Sequence, residues 1–191
     1  MKKYLPIFIL SFVFILAACG KNVETNMDST VPDFEYTTQD ESTLSKTDLE
    51  GKYWVADFIF TNCTTVCLPM TSNMASLQEK LAEADVENVH LVSFTVDPET
   101  DSPEVLKKYA EEYGADLTNW TFLTGYDFET IKEFSIKNFK NIVEAPLEGD
   151  DQVTHGTHFF LVNPEGEIIK NYSGIESAEI DNIVEDLKNL H

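Results

Sequence analysis

The run Tyr53-Trp54-Val55-Ala56-Asp57-Phe58-Ile59-Phe60-Thr61-Asn62-Cys63-Thr64-Thr65-Val66-Cys67-Leu68-Pro69-Met70 decides the fold. Its first eight residues are apolar but for Asp57, the composition of a strand buried on both faces. A short polar turn follows, and then a helix-like stretch from about Val66 to Ala84 with two thiols at its start. Helix N-terminal amides favour thiolate there. Four positions apart with three residues between, Cys63 and Cys67 would share one helical face, Cβ atoms roughly 5–6 Å apart. A disulfide needs about 3.5–4.5 Å, which slight unwinding at Cys63 would allow. Two thiolates held a little apart could instead straddle one soft metal ion at about 2.3 Å each. The pair therefore suits redox chemistry, metal binding, or both.

Working outward, Val89–Val96 reads as a second strand. Ser102-Pro103-Glu104 has the N-cap, N1 proline and first-turn acid of a helix start, with the helix running to about Tyr113. Strand Trp120–Leu123, helix Phe128–Lys137, strands Phe159–Asn163 and Glu167–Tyr172 around the Asn163-Pro164-Glu165-Gly166 turn, and helix Ala178–Leu190 complete the order. Phe34–Lys46 suits a hairpin or irregular strands. Strands alternating with helices, closed by a hairpin and a helix, predict an α/β domain with a thioredoxin-like fold: a central sheet flanked by helices, here with an N-terminal extension. One connector is unusually long. From about Asn138 to Thr157 some twenty residues separate helix and strand, and loops of that length are mostly functional or disordered. This one delivers Gln152-Val153-Thr154-His155 to the position where thioredoxins carry a proline facing their cysteines.

The ends set the compartment. Met1-Lys2-Lys3 and the apolar stretch Tyr4–Ala18 form an export signal too short to span a bilayer comfortably. Leu16-Ala17-Ala18-Cys19-Gly20 resembles the bacterial lipobox, which implies cleavage before Cys19 and attachment of acyl chains, palmitate among them, to that cysteine. Two or more chains anchor stably where one does not. The expected organisation is signal peptide 1–18, flexible tether 19–31 and domain 32–191, with the protein lipid-anchored on the extracytoplasmic face of the cell membrane. Of three cysteines, one goes to lipid, and the other two are the Cys63/Cys67 pair, outside the cytoplasm where disulfides persist. The chain carries 34 acidic against 13 basic residues, a formal charge of −21, and loss of Lys2 and Lys3 makes the remainder more acidic. Such a surface repels phosphate backbones, so no nucleic-acid partner is expected.

Four segments together resemble the Sco/SenC family over most of the domain: the Cys63/Cys67 turn, Asp97-Pro98-Glu99-Thr100-Asp101-Ser102-Pro103-Glu104, Gln152-Val153-Thr154-His155, and Phe159-Phe160-Leu161-Val162-Asn163-Pro164-Glu165-Gly166. The resemblance implies one copper ion per chain, held by Cys63, Cys67 and His155, and a role in assembling the copper centre of cytochrome c oxidase subunit II. Many members have proline directly after each cysteine; Thr64 and Leu68 stand there, and Pro69 comes one later. Two thiolates and an imidazole independently make a soft environment suited to Cu(I) and tolerant of Cu(II). A thiol:disulfide oxidoreductase that keeps the oxidase copper-site cysteines reduced would use the same redox pair. A thiol peroxidase fits less well, because Phe60 stands where its threonine would be. His158 is expected to face away from His155. Asp97 and Asp101 are candidates to support the site from behind, although turn and capping chemistry explains them too. The copper donor and the thiol reductant are not legible in the chain.

Overall fold

The computed structural model describes residues 23–190. An eight-stranded sheet runs in the order β1-β10-β9-β4-β5-β6-β2-β3. At its centre β4 (Tyr53–Ile59) pairs in parallel with β5 (Val89–Thr95), from Tyr53 opposite Val89 to Ile59 opposite Thr95. β6 (Trp120–Thr124) continues the parallel set, and β2 (Glu35–Thr38) and β3 (Thr43–Ser45) close that edge. On the other side β9 (His158–Val162) runs antiparallel to β4, and β10 (Glu167–Ser173) returns beside it.

Four α-helices cover the sheet: α1 (Cys67–Glu83), α2 (Pro103–Glu112), α3 (Phe128–Phe134) and α4 (Glu179–Leu190). Alternation along β4 sends Trp54, Ala56 and Phe58 into one core with Phe94, Phe139 and Phe160. Val55 and Ile59 enter the other, with Met70, Met74, Leu77 and Leu81 of α1 and Ile183 and Leu187 of α4. Both faces are therefore dry, as the apolar composition of β4 requires. Parallel strands leave a crevice beyond their carboxyl ends, and the cysteine turn lies there, directly after β4.

Three features differ from the sequence expectation. Within the expected 19–31 tether, described from residue 23 on, the last residues are tied to the domain. Asn26 and Met27 donate their amides to the Ile169 carbonyl, β1 (Ser29–Thr30) adds to β10, and Val31 is buried in the core. Two-residue strands leave no alternation to read. The helix after β6 changes to a π-turn, Ser135–Phe139, which ends at Lys140 in the left-handed conformation. The long connector then builds a ribbon of its own: β7 (Val143–Glu144) pairs with β8 (Thr154–His155), setting Val143 opposite His155. The stretch 1–18 expected to be a signal peptide and Cys19, expected to carry lipid, lie outside the described residues. Among the described residues no helix is long and apolar enough to cross a membrane.

Candidate metal centre

Cys63 is not in a helix. α1 begins at Cys67, so the two thiols are not one turn apart on a continuous helical face. Cys63 sits in the preceding turn, its amide donating to the Phe60 carbonyl at 3.3 Å, and its sulfur accepts the Cys67 amide at 3.3 Å. The sulfur thus occupies a helix-capping position, satisfying an amide the helix leaves without a partner. Both cysteines are buried and unbridged.

β8 brings His155 to them from 88 residues away. Its Nε2 lies 3.0 Å from Cys67 Sγ, and its Nδ1 lies 3.0 Å from the Gly156 carbonyl oxygen. A carbonyl only accepts, so Nδ1 donates to it, and Nε2 is the ring nitrogen that faces the thiols. The backbone must come close to achieve this. A Cβ on Gly156 would fall 1.8 Å from Asn141 Oδ1, and the Gly156 amide donates to the Ile142 carbonyl at 3.0 Å. The Phe60 ring meets the imidazole edge-on at 5.7 Å. The ligating atoms of Cys63, Cys67 and His155 all lie within 4.8 Å of one another.

The two thiols divide one proton unequally. Hydrogen bonding from Cys67, helped by His155 and by backbone amides, holds the Cys63 thiol well below its ordinary value. Cys67, as the donor and as the more buried sulfur, is pushed the other way. Cys63 is therefore the ready thiolate and Cys67 the proton holder. A soft cation that replaces that proton finds two sulfurs and an imidazole nitrogen already converging, a donor set that fits copper better than zinc, which in structural sites draws four protein ligands.

Asp101 ties this turn down. Its buried carboxylate accepts from the Thr61 amide at 3.1 Å and Thr61 Oγ1 at 2.5 Å, and also from Thr95 Oγ1. Helix capping is left to Ser102, whose Oγ accepts the Val105 amide at 3.4 Å. Asp101 thus fixes Thr61, two residues before Cys63, rather than capping α2. Burial raises its pKa, and the Thr61 and Thr95 hydrogen bonds oppose that rise. Asp97 does not share the role: it lines, with Phe128, Pro146, Asp151 and Val153, a cavity of about 320 Å³ beside the turn. His158 is exposed at the start of β9, its ring 6.1 Å from that of Phe160, and it is not one of the three converging donors.

The sequence reading passed over Asp57. It is fully buried on the β4 face that α1 covers, and neither carboxylate oxygen has a hydrogen bond of acceptable geometry. Burial pushes its pKa up to about 7, drawn back only in part by the nearby Ser93 hydroxyl and His155 ring. A single acid in an otherwise apolar strand was the available signal.

A central sheet of this topology, with a two-thiol, one-imidazole cluster at the strand ends, defines a class of thioredoxin-like proteins whose thiols serve metal or redox chemistry. The sequence profile of the SCO1/SenC family matches residues 22–191, and the chain belongs to that family. Solved structures agree. A SCO1/SenC family lipoprotein from Bacillus anthracis is 45% identical, with a TM-score of 0.81 over 85% of this chain and 95% of that one. BsSco, described with a disulfide switch as a member of the Sco family of cytochrome c oxidase assembly proteins, is 46% identical, with a TM-score of 0.78 over 87% and 95%. Yeast Sco1 with copper bound is 25% identical, with a TM-score of 0.67 over 84% and 89%.

Proposed function

We propose that this chain is a lipid-anchored copper carrier of the extracytoplasmic membrane face, taking up one copper ion between Cys63, Cys67 and His155 and passing it to subunit II of cytochrome c oxidase. The observation that carries this reading is the convergence of the three donor atoms, with the imidazole proton parked on the Gly156 carbonyl. Copper is cargo here. Cys63 supplies a thiolate at neutral pH, and Cys67 gives up a proton on binding, so uptake should release protons and weaken in acid. Release needs incoming ligands that displace the protein's own one at a time at the turn that ends the central strand β4. Cys19 would supply the anchor, and the acidic surface favours a cationic partner face.

A second reading rests on the thiol pair itself. An ionised Cys63 beside a protonated, unbridged Cys67 is also the arrangement of a dithiol reductant, which would keep the oxidase cysteines reduced. His155→Ala separates the two. The reduced protein should bind copper with a thiolate charge-transfer absorption that oxidation of the pair abolishes. His155→Ala should hold Cu(II) much more weakly while retaining disulfide exchange. Cells carrying it should lose oxidase activity about as severely as cells carrying Cys63→Ser. Normal oxidase activity in that strain, at normal protein abundance and without added copper, would sink the carrier reading and favour the reductant.

A further inference from the structure

The two halves of the metal centre arrive on separate loops, and Gln152, with Asp151 beside it, ties the loops together at Cys63. Gln152 lies three residues before His155, in the segment the β7–β8 ribbon closes. Its carboxamide reaches across to the peptide groups on either side of Cys63. Nε2 donates to the Asn62 carbonyl at 3.1 Å, and Oε1 accepts the Thr64 amide at 3.2 Å and Thr64 Oγ1 at 3.3 Å. Asp151 completes the clasp, accepting from Asn62 Nδ2 at 2.8 Å and from Gln152 Nε2 at 2.8 Å. Asp150 prearranges the loop tip by accepting the amides of Asp151 and Gln152 at 2.8 and 3.2 Å. The hydrogen bonds to Gln152 and Asn62 hold the exposed Asp151 carboxyl below its ordinary range.

An amide that pairs with a carbonyl and an amide of one strand-like segment imitates a neighbouring strand. Here the imitation brackets Cys63 while its own backbone leads to His155. Separating Cys63 from His155 by opening this loop therefore requires the bonds to Asn62 and Thr64 to break together. Each is exposed, so each adds little to global stability and water readily replaces it. Their effect falls on the local opening of the site, the kind of motion that has its own free energy below that of global unfolding.

We propose that Gln152 is a positioning latch that holds the Cys63 and His155 halves of the centre together and sets how fast the site opens to release its cargo. The metal part of this rests on the copper reading above; the latch itself does not. A partner that offers its own carbonyl and amide to Asn62 and Thr64 would displace Gln152 and open the site at the moment of transfer.

The test uses the full chain in detergent, as wild type, Gln152→Ala and Gln152→Glu. Glu keeps the reach and the acceptor for Thr64 but loses the donor to Asn62 and repels Asp151. In reduced, metal-free protein at one fixed pH, the rate at which N-ethylmaleimide modifies Cys63 should rise about tenfold in Gln152→Ala, with Gln152→Glu between it and wild type. In copper-loaded protein, transfer to an excess of a small chelator should accelerate by a similar factor. The position of the charge-transfer absorption should stay unchanged, because the ligands do. Thermal unfolding within about two degrees of wild type shows that both variants are folded. Wild-type rates in both variants overturn the latch, as does a shifted absorption with unchanged release, which would assign Gln152 to ligand geometry. Faster thiol modification in a protein whose wild type binds no copper would support the latch and refute the copper reading.

Discussion

Replacing Asp57 by Asn should make the protein's stability less sensitive to pH, by an amount the structure sets. In the unfolded chain Asp57 ionises near 3.8; in the fold, burial raises that to about 7, with Ser93 and His155 opposing the rise only in part. Between those two values the folded state binds the extra proton, so stability falls as pH rises, by about 1.4 kcal/mol per unit, and the loss is complete above 7. Integrated from pH 5 to pH 8, this one carboxyl accounts for about 2.5 kcal/mol of destabilisation. Asn keeps the shape and cannot ionise. Urea unfolding of the reduced, metal-free proteins at pH 5, 6, 7 and 8, at constant ionic strength, measures the difference directly. Relative to wild type, Asp57→Asn should gain about 2.5 kcal/mol across that range, with equal denaturant slopes. The thiols do not mimic the effect: Cys63 is shared by both proteins, and Cys67 holds its proton throughout the window. Parallel curves, with a difference constant to within about 0.5 kcal/mol, would refute the reasoning and place a hydrogen-bond partner on Asp57.

Asp101→Ala strips the Thr61 amide and two threonine hydroxyls of a buried acceptor, which costs about 2–4 kcal/mol and loosens the turn before Cys63. Thermal unfolding should shift down by several degrees and copper affinity should fall at least tenfold; unchanged affinity in a folded variant would confine Asp101 to stability. Cys19→Ala should move the protein from the membrane to the soluble fraction without altering copper affinity. A variant that stays with the membrane after alkaline washing would disprove lipid anchoring.

The site and its surroundings differ in how far the sequence exposes them. The parallel strands and helices were legible because burial imposes period and composition on them: β4 is apolar on both faces, α1 spaces Met70, Met74, Leu77 and Leu81 along one side, and Ser102-Pro103 starts α2 where local chemistry demands. The metal ligands were legible because soft-metal chemistry is written in residue type. Cysteine and histidine announce it wherever the fold brings them together. What governs those ligands is carried instead by groups that local reasoning assigns elsewhere. Asp101 looks like a capping residue and is a tie to Thr61, forty positions back in the chain. Cys63 looks like a first-turn thiol and caps the turn from outside the helix. Gln152 has no chemistry of its own to announce, and its role exists only in pairing across 88 and 90 residues with the peptides around Cys63. Hydrogen bonds between distant loops leave no period and no composition bias. On the copper-carrier reading, identity of the cargo is therefore encoded locally, whereas the ease of its release is encoded in tertiary contacts. Variants that keep all three ligands can consequently differ widely in transfer rate.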